Sequence, residues 1–247
     1  MYSTYYYFFL LSKQHLFSHE YLNFIVSIKN ILCFGDSNTW GFVPGAFDPE
    51  TLYMKRYSIL ERWPGQLRDI LGADYHIIEE GLNGRTTNVE YPDLSGRSGT
   101  SYILPCLYSH FPLDLIILNI GINDTKVIFE RSIIEISEGM AEIIDLIRSS
   151  SYGPDMQGPP QILLLSPSAL THEGYVDQNN ESAFKGGLEK SLFLNEYYEK
   201  IALEKGCHYI NLQSVVNYSE IDGLHYDKRG HAVIASVVAS KINLIFS

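Results

Sequence analysis

Apolar and polar positions alternate in blocks along most of the chain. Asn30–Phe34 is a short apolar run closed by Gly35, and it predicts a buried strand. Leu113–Ile120 (LDLIILNI) is the clearest such run and ends at Gly121. His76–Ile78, Gln161–Leu165 and His208–Leu212 predict three more strands. Between them lie segments with helical spacing. Trp63–Leu71 stops at Gly72, and Tyr102–Phe111 is a second candidate. Over Ser132–Ser149, residues Ile133, Ile136, Met140, Ile143, Ile144 and Ile147 share one helical face. Ser182–Lys205 reads as helical with a start blurred by Gly186 and Gly187. Lys228–Leu244 closes the chain, with Ala232, Ile234, Ala235, Val238 and Ile242 for burial.

Strand and helix thus alternate five times, which predicts an α/β domain: a five-stranded parallel sheet covered by helices on both faces. Neither an internal repeat nor a linker divides residues 29–247, so one domain is expected there. Residues 1–28 differ. They are rich in aromatics, carry only Lys13 and Glu20 as charges, and are expected to be an appendage outside the catalytic fold. Their apolar stretch Tyr5–Leu11 is shorter than the roughly 20 residues a bilayer span needs. They show neither the basic flank nor the small-residue cleavage site of an export signal. Translated upstream sequence with initiation near Val26, and a degenerate export signal, stay open as readings.

Composition narrows the function. The 247 residues are 45% hydrophobic and 19% charged, which suits a folded domain with a sizeable core. The net charge of −11 argues against a polyanion as partner, so no nucleic-acid binding is expected. Cys33, Cys106 and Cys207 are far apart and form no C-x-x-C pair, which predicts buried thiols in a reducing compartment and a cytoplasmic location.

Four polar segments follow predicted strand ends: Gly35–Thr39 (GDSNT), Gly81–Thr87 (GLNGRTT), Gly121–Asp124 (GIND) and Asp222–His225 (DGLH). In open α/β sheets ligands bind beyond the carboxyl ends of strands. A serine hydroxyl becomes a nucleophile only when a base takes its proton and a third group orients that base. Ser37 at the tight Gly-Asp turn, His225 as base and Asp222 three residues before it supply those parts. A tetrahedral intermediate needs oxyanion donors. The N–H groups of Ser37 and Gly84 and the side-chain amide of Asn123 are the candidates. No G-x-G-x-x-G, Gly-Lys-Ser/Thr or His-x-His spacing is present, which argues against dinucleotide, P-loop and metallophosphoesterase chemistry. No cofactor and no metal are expected.

These blocks resemble those of the SGNH or GDSL-type serine hydrolases, and ILCFGDSNTWGF, EEGLNGRTTN, FPLDLIILNIGINDTK and DGLHYD resemble the bacterial aryl esterase/acyltransferase branch. The resemblance covers roughly residues 29–245. It implies a flavodoxin-like three-layer α/β/α sandwich, the four eponymous roles for Ser37, Gly84, Asn123 and His225, and Asp222 as the triad acid. It implies hydrolysis of short-chain carboxylic esters through an acyl-enzyme, with acyl transfer to alcohols or peroxide, and a homo-oligomer. Carbohydrate acetyl esterase and lysophospholipase-type activities are the alternatives within the family; a non-catalytic binding module is a more distant one. Asn38 stands where the family usually has Leu, and Ile122 where it often has Gly or Thr. With Trp40 these are the candidate pocket residues, although Trp40 and Phe42 fit core packing equally well. Asp36 is expected to be a turn carboxylate, Asp124 to hold a turn or neighbouring loop, His231 to pack a helix, and Arg85 to sit in a surface or interface salt bridge.

Overall fold

The computed structural model describes residues 28–48, 50–175 and 182–247. Apart from Ile28, the appendage expected at residues 1–28 lies outside the described residues. In chain order the elements are β1 (Lys29–Gly35), α1 (Ser37–Trp40), β2 (Phe42–Asp48), β3 (Tyr53–Arg56), α2 (Trp63–Leu71), β4 (Tyr75–Gly81), α3 (Gly99–His110), β5 (Leu115–Asn119), α4 (Ile133–Arg148), β6 (Gln161–Ser166), α5 (Gly187–Glu204), β7 (His208–Asn211) and α6 (Lys228–Ile245).

Five strands form one parallel sheet in the order β4-β1-β5-β6-β7. The chain begins in the middle of the sheet, steps to one edge, then crosses back to the other, the flavodoxin-like order. Helices α2 and α6 pack together on one face, and α3, α4 and α5 in series on the other. The central strands are covered on both sides, which is why they read as unbroken apolar runs: Leu115, Ile116, Ile117 and Leu118 of β5 are fully buried. Helix α4 buries Ile136, Met140, Ile143, Ile144 and Ile147, as its spacing predicts, and starts at a capping box between Ser132 and Glu135. Helix α6 buries Ile234, Ala235, Val238 and Ile242, while Ala232 faces outward. His231 packs α6 onto α2, its Nδ1 accepting the Trp63 N–H at 3.3 Å.

The starts of two helices and one strand pair depart from the sequence expectation. Helix α3 begins at Gly99 and continues through Pro105. Helix α5 begins at Gly187, because Gly186 takes a left-handed conformation that ends the preceding turn. The antiparallel pair β2–β3 was not expected at all. Pro44 and Gly45 interrupt β2 in sequence, and β3 is four exposed residues, so neither carries the apolar run of a core strand.

Candidate active site

The carboxyl ends of β1, β4 and β5 deliver three of the four polar segments to one rim of the sheet, and the segment before α6 brings the fourth. After Gly35 the chain turns directly into α1. The Asp36 carboxylate caps that turn by accepting the Asn38 N–H at 2.8 Å. Burial pushes the Asp36 carboxyl up to about 7, against the Asn38 N–H that favours its charge. This is the turn carboxylate expected of it. Ser37 stands at the head of α1, 5% exposed.

Ser37 Oγ lies 2.9 Å from His225 Nε2, and His225 Nδ1 lies 2.8 Å from Asp222 Oδ2. The chain brings these three groups together from opposite ends. Asp222 also closes its own turn: Oδ1 accepts the N–H groups of Leu224 and His225 at 3.2 and 3.0 Å. Its Oδ2 accepts a further N–H from Gly45 at 3.0 Å. Burial alone would raise the Asp222 carboxyl, but the His225 ring and these N–H donors outweigh it and hold the group below the usual carboxylate range. Burial lowers the His225 imidazole below its ordinary value despite the Asp222 carboxylate, which pulls the other way. At neutral pH the ring is therefore a neutral base with Asp222 ionised beside it. Phe42 stacks on the ring at 4.2 Å between centroids, and Tyr175 meets it edge-on at 6.2 Å.

Gly45 is a site residue that sequence reasoning missed. Its φ of +70° is one that L side chains rarely adopt, and a Cβ there would lie 2.6 Å from Ile221 Cγ2. Gly45→Ala is expected to pull the hairpin off Asp222. kcat should then fall by about tenfold to a hundredfold in a protein whose circular dichroism matches the parent. Parental kcat in that variant would show that the hairpin does not position the acid.

The second and third blocks meet each other through Asn123. Gly84 has φ +76°, again a glycine conformation. Asn123 is 2% exposed, and its Nδ2 donates to the Arg85 carbonyl at 3.1 Å, tying the two blocks together. That amide carries a second N–H. Among the described residues, no hydrogen bond takes up the backbone N–H of Ser37 or Gly84. Asp124 buttresses the pair from behind. It accepts from Thr87 Oγ1 and Arg131 Nη1, both at 2.6 Å, and from the Thr87 N–H. Burial still lifts its carboxyl to about 6.

Arg85 corrects the expectation of a surface salt bridge. It is 2% exposed, and its guanidinium lies 4.0 Å from the Phe34 ring centroid and 5.3 Å from that of Tyr102. Its Nη1 donates to the carbonyls of Gly35 and Glu80, at the ends of β1 and β4. Burial lowers it to about 10, so it remains charged at neutral pH. Arg85 thus ties together the ends of β1 and β4, from which the nucleophile and glycine blocks depart.

Two of the three expected pocket residues, Asn38 and Ile122, are buried and engaged within the fold. Asn38 is 2% exposed; its Nδ2 donates to the Leu224 carbonyl and its Oδ1 accepts the Tyr226 N–H, so it clamps α1 to the His225 segment. Ile122 is fully buried in the core. Trp40 is half-buried, with the Arg56 guanidinium 5.0 Å over its ring. A cavity of about 320 Å³ is lined by Tyr91, Lys126, Val127, Ile128, Tyr175, Ser182 and Ala183 and adjoins the His225 side of the site through Tyr175. Tyr175 is the residue that touches the His225 ring, and the Tyr91 hydroxyl is what a Cβ on Gly84 would meet at 3.2 Å.

Among the described residues, one group has metal-ligand chemistry: Glu80, Cys106 and His110, with ligand atoms within 4.8 Å of one another. It sits between β4 and α3 and is partnered already. His110 Nε2 is 2.8 Å from Glu80 Oε1, and the charge of Arg85 acts on both Glu80 and Cys106. Burial pushes the Cys106 thiol up to about 12, far from a thiolate ligand.

A serine, an imidazole and a carboxylate in one hydrogen-bonded series, on the carboxyl rim of a parallel α/β sheet, define a serine hydrolase. The model of the GDSL-like lipase/acylhydrolase family matches residues 33–233. The native aryl esterase of M. smegmatis is 33% identical, with a TM-score of 0.80 over 87% of this chain and 98% of its own. Est24, a carbohydrate acetylesterase from Sinorhizobium meliloti, is 33% identical, with a TM-score of 0.81 over 88% of this chain and 99% of its own. No curated protein matches. The chain belongs to the GDSL-like lipase/acylhydrolase family and is a carboxylic ester hydrolase. Among the described residues no helix is long and apolar enough to cross a membrane.

Proposed function

We propose that the protein cleaves short-chain carboxylic esters with Ser37 as nucleophile, His225 as general base and acid, and Asp222 as the group that orients His225. The observation that carries this reading is the unbroken series Ser37 Oγ–His225 Nε2 and His225 Nδ1–Asp222 Oδ2. His225 takes the hydroxyl proton as Oγ bonds to the carbonyl carbon, and the carbonyl π pair moves onto oxygen. The N–H groups of Ser37 and Gly84 and the Asn123 amide stabilise that oxyanion. The C–O bond to the alcohol then breaks, and His225 Nε2 returns the proton to the departing oxygen. Water, activated by the same imidazole, releases the acid. Alcohols, or peroxide, replace water as acyl acceptor at the same step.

The two similar esterases act on an aryl ester in one case and an acetylated carbohydrate in the other. That range favours a small acyl group with a variable alcohol. Across a series of 4-nitrophenyl esters, acetate to butyrate should give the highest kcat/KM, and longer chains should lose it progressively. A maximum at long chains would replace this reading with a lipase-type one. Because burial lowers the His225 imidazole below its ordinary value, kcat/KM should hold through neutral pH and fall on the acid side as the ring takes up its proton. A profile with no acid-side loss would contradict His225 as the base. A homo-oligomer is the expected assembly, and sedimentation at micromolar concentration giving only monomer would remove that expectation. Residues 29–247 carry all of this chemistry.

A further inference from the structure

Lys126 has no part in the mechanism above, yet its side chain lies at the site. It follows the turn that presents Asn123, and its backbone N–H bonds the Asn123 carbonyl at 3.2 Å. The next residue, Val127, bonds the Ala183 carbonyl through its N–H at 3.0 Å. These two bonds fix the wall on which Lys126 faces the 320 Å³ cavity. Its Nζ donates to the Tyr91 hydroxyl at 2.9 Å and lies 5.1 and 5.3 Å from the ring centroids of Tyr91 and Phe184.

A half-buried ammonium costs free energy unless something compensates it. Among the described residues Lys126 forms no ion pair. The two buried carboxylates whose charges reach it are both engaged: Asp36 by the Asn38 N–H, and Asp124 by Thr87 and Arg131. Burial lowers the ammonium to about 8, against the pull of those two carboxylates, so it remains mostly charged at pH 7. Among the described residues only the Tyr91 hydroxyl takes one of its three N–H donors, and the described walls of the cavity are otherwise largely apolar or phenolic. One wall of the cavity, Tyr175, meets the His225 ring edge-on, and another, Tyr91, lies against the Gly84 turn. The Lys126 charge also reaches His225, so the cavity and its ammonium adjoin the place where an ester would meet Ser37.

We infer that Lys126 is the specificity-determining residue of the ester site, and that it selects esters carrying a carboxylate away from the scissile bond. This rests on the Ser37 reading, since the cavity is a substrate pocket only if the ester is cleaved there. The carboxylate has two possible positions, on the acyl chain or on the alcohol. Each has a matched pair of probes. For the acyl side these are the 4-nitrophenyl hemiester of adipic acid and 4-nitrophenyl hexanoate. For the alcohol side they are 4-acetoxybenzoate and its methyl ester.

The measurement is the ratio of kcat/KM, charged over neutral, for each pair at pH 7. In the parent enzyme the ratio should exceed 1 for one of the two pairs, and that pair identifies the side. In Lys126→Met that ratio should fall by at least about tenfold, mainly through the KM of the charged ester, and Lys126→Arg should recover much of it. A merely structural lysine would change both members of a pair alike. Equal losses on charged and neutral esters, or a ratio indifferent to Lys126→Met, would overturn the assignment. The Ser37 reading is checked separately by fluorophosphonate labelling of the same preparations. Labelled Lys126→Met with an unchanged ratio overturns the Lys126 inference alone. An unlabelled parent that cleaves none of the four esters overturns both.

Discussion

A folded Ser37→Ala protein should retain no more than a trace of ester turnover, with kcat lower by roughly 10⁴–10⁶. The hydroxyl does one thing in the structure: it meets His225 Nε2 at 2.9 Å. Its removal takes away the atom that bonds to the acyl carbon while leaving the α1 turn intact, because that turn is capped by Asp36 and not by Ser37. The melting temperature should therefore stay near the parent's. His225→Ala should cost about as much, and the double variant little more than either alone, since the two act as one unit. Asp222→Ala should be less damaging to chemistry than His225→Ala but more damaging to the fold. It frees the His225 ring, and it also abandons the N–H groups of Gly45, Leu224 and His225. Substantial turnover by folded Ser37→Ala would end the nucleophile assignment.

The second large effect is expected at Asn123. Losing one oxyanion donor typically costs about 10²–10³ in kcat, or roughly 2.7–4 kcal/mol. An amide N–H binds a developing oxyanion more strongly than a neutral carbonyl, so Asn123→Ala should lower kcat with little change in KM. Asn123→Asp should be at least as damaging, because a carboxylate donates no hydrogen bond and repels the oxyanion. The same amide ties the Arg85 carbonyl, so both variants also lose a buried hydrogen bond worth about 1 kcal/mol. Steady-state kinetics on protein with a parental circular dichroism spectrum separates the two effects. A kcat within a few-fold of the parent would show that Asn123 only ties the loops.

Much of this was legible because the relevant signals are local. Strands β1, β5 and β6 are buried on both faces, so they stand out as apolar runs. Each candidate catalytic group sits within a few residues of a strand end or of a tight Asp-Gly turn. What the sequence concealed depends on contacts between distant segments. The β2–β3 hairpin has little burial of its own, and its link to the site is the Gly45 N–H on Asp222, from the far end of the chain. Arg85 reads as a surface charge because arginine usually is one. The aromatic shelf that buries it comes from Phe34 on β1 and Tyr102 on α3, and no local pattern joins those residues. Asn38 and Ile122 depart from the family pattern at positions flanking the nucleophile and Asn123, and that departure alone points to the pocket. Position along the chain does not say which way a side chain turns. Asn38 turns toward Leu224 and Tyr226, and Ile122 into the core. The Tyr91–Lys126 pair was hidden for the same reason, since its members lie on separate loops that meet only in the folded molecule.

Labelling with a fluorophosphonate, followed by mass mapping of the modified peptide, tests the Ser37 nucleophile directly. Such a probe reacts with a serine only when a neighbouring base has activated it. One phosphonyl group per chain, on Ser37, should form in the parent. In His225→Ala the labelling should be lost. Labelling at another serine, or a folded parent protein that takes up no label, would contradict Ser37 as the nucleophile.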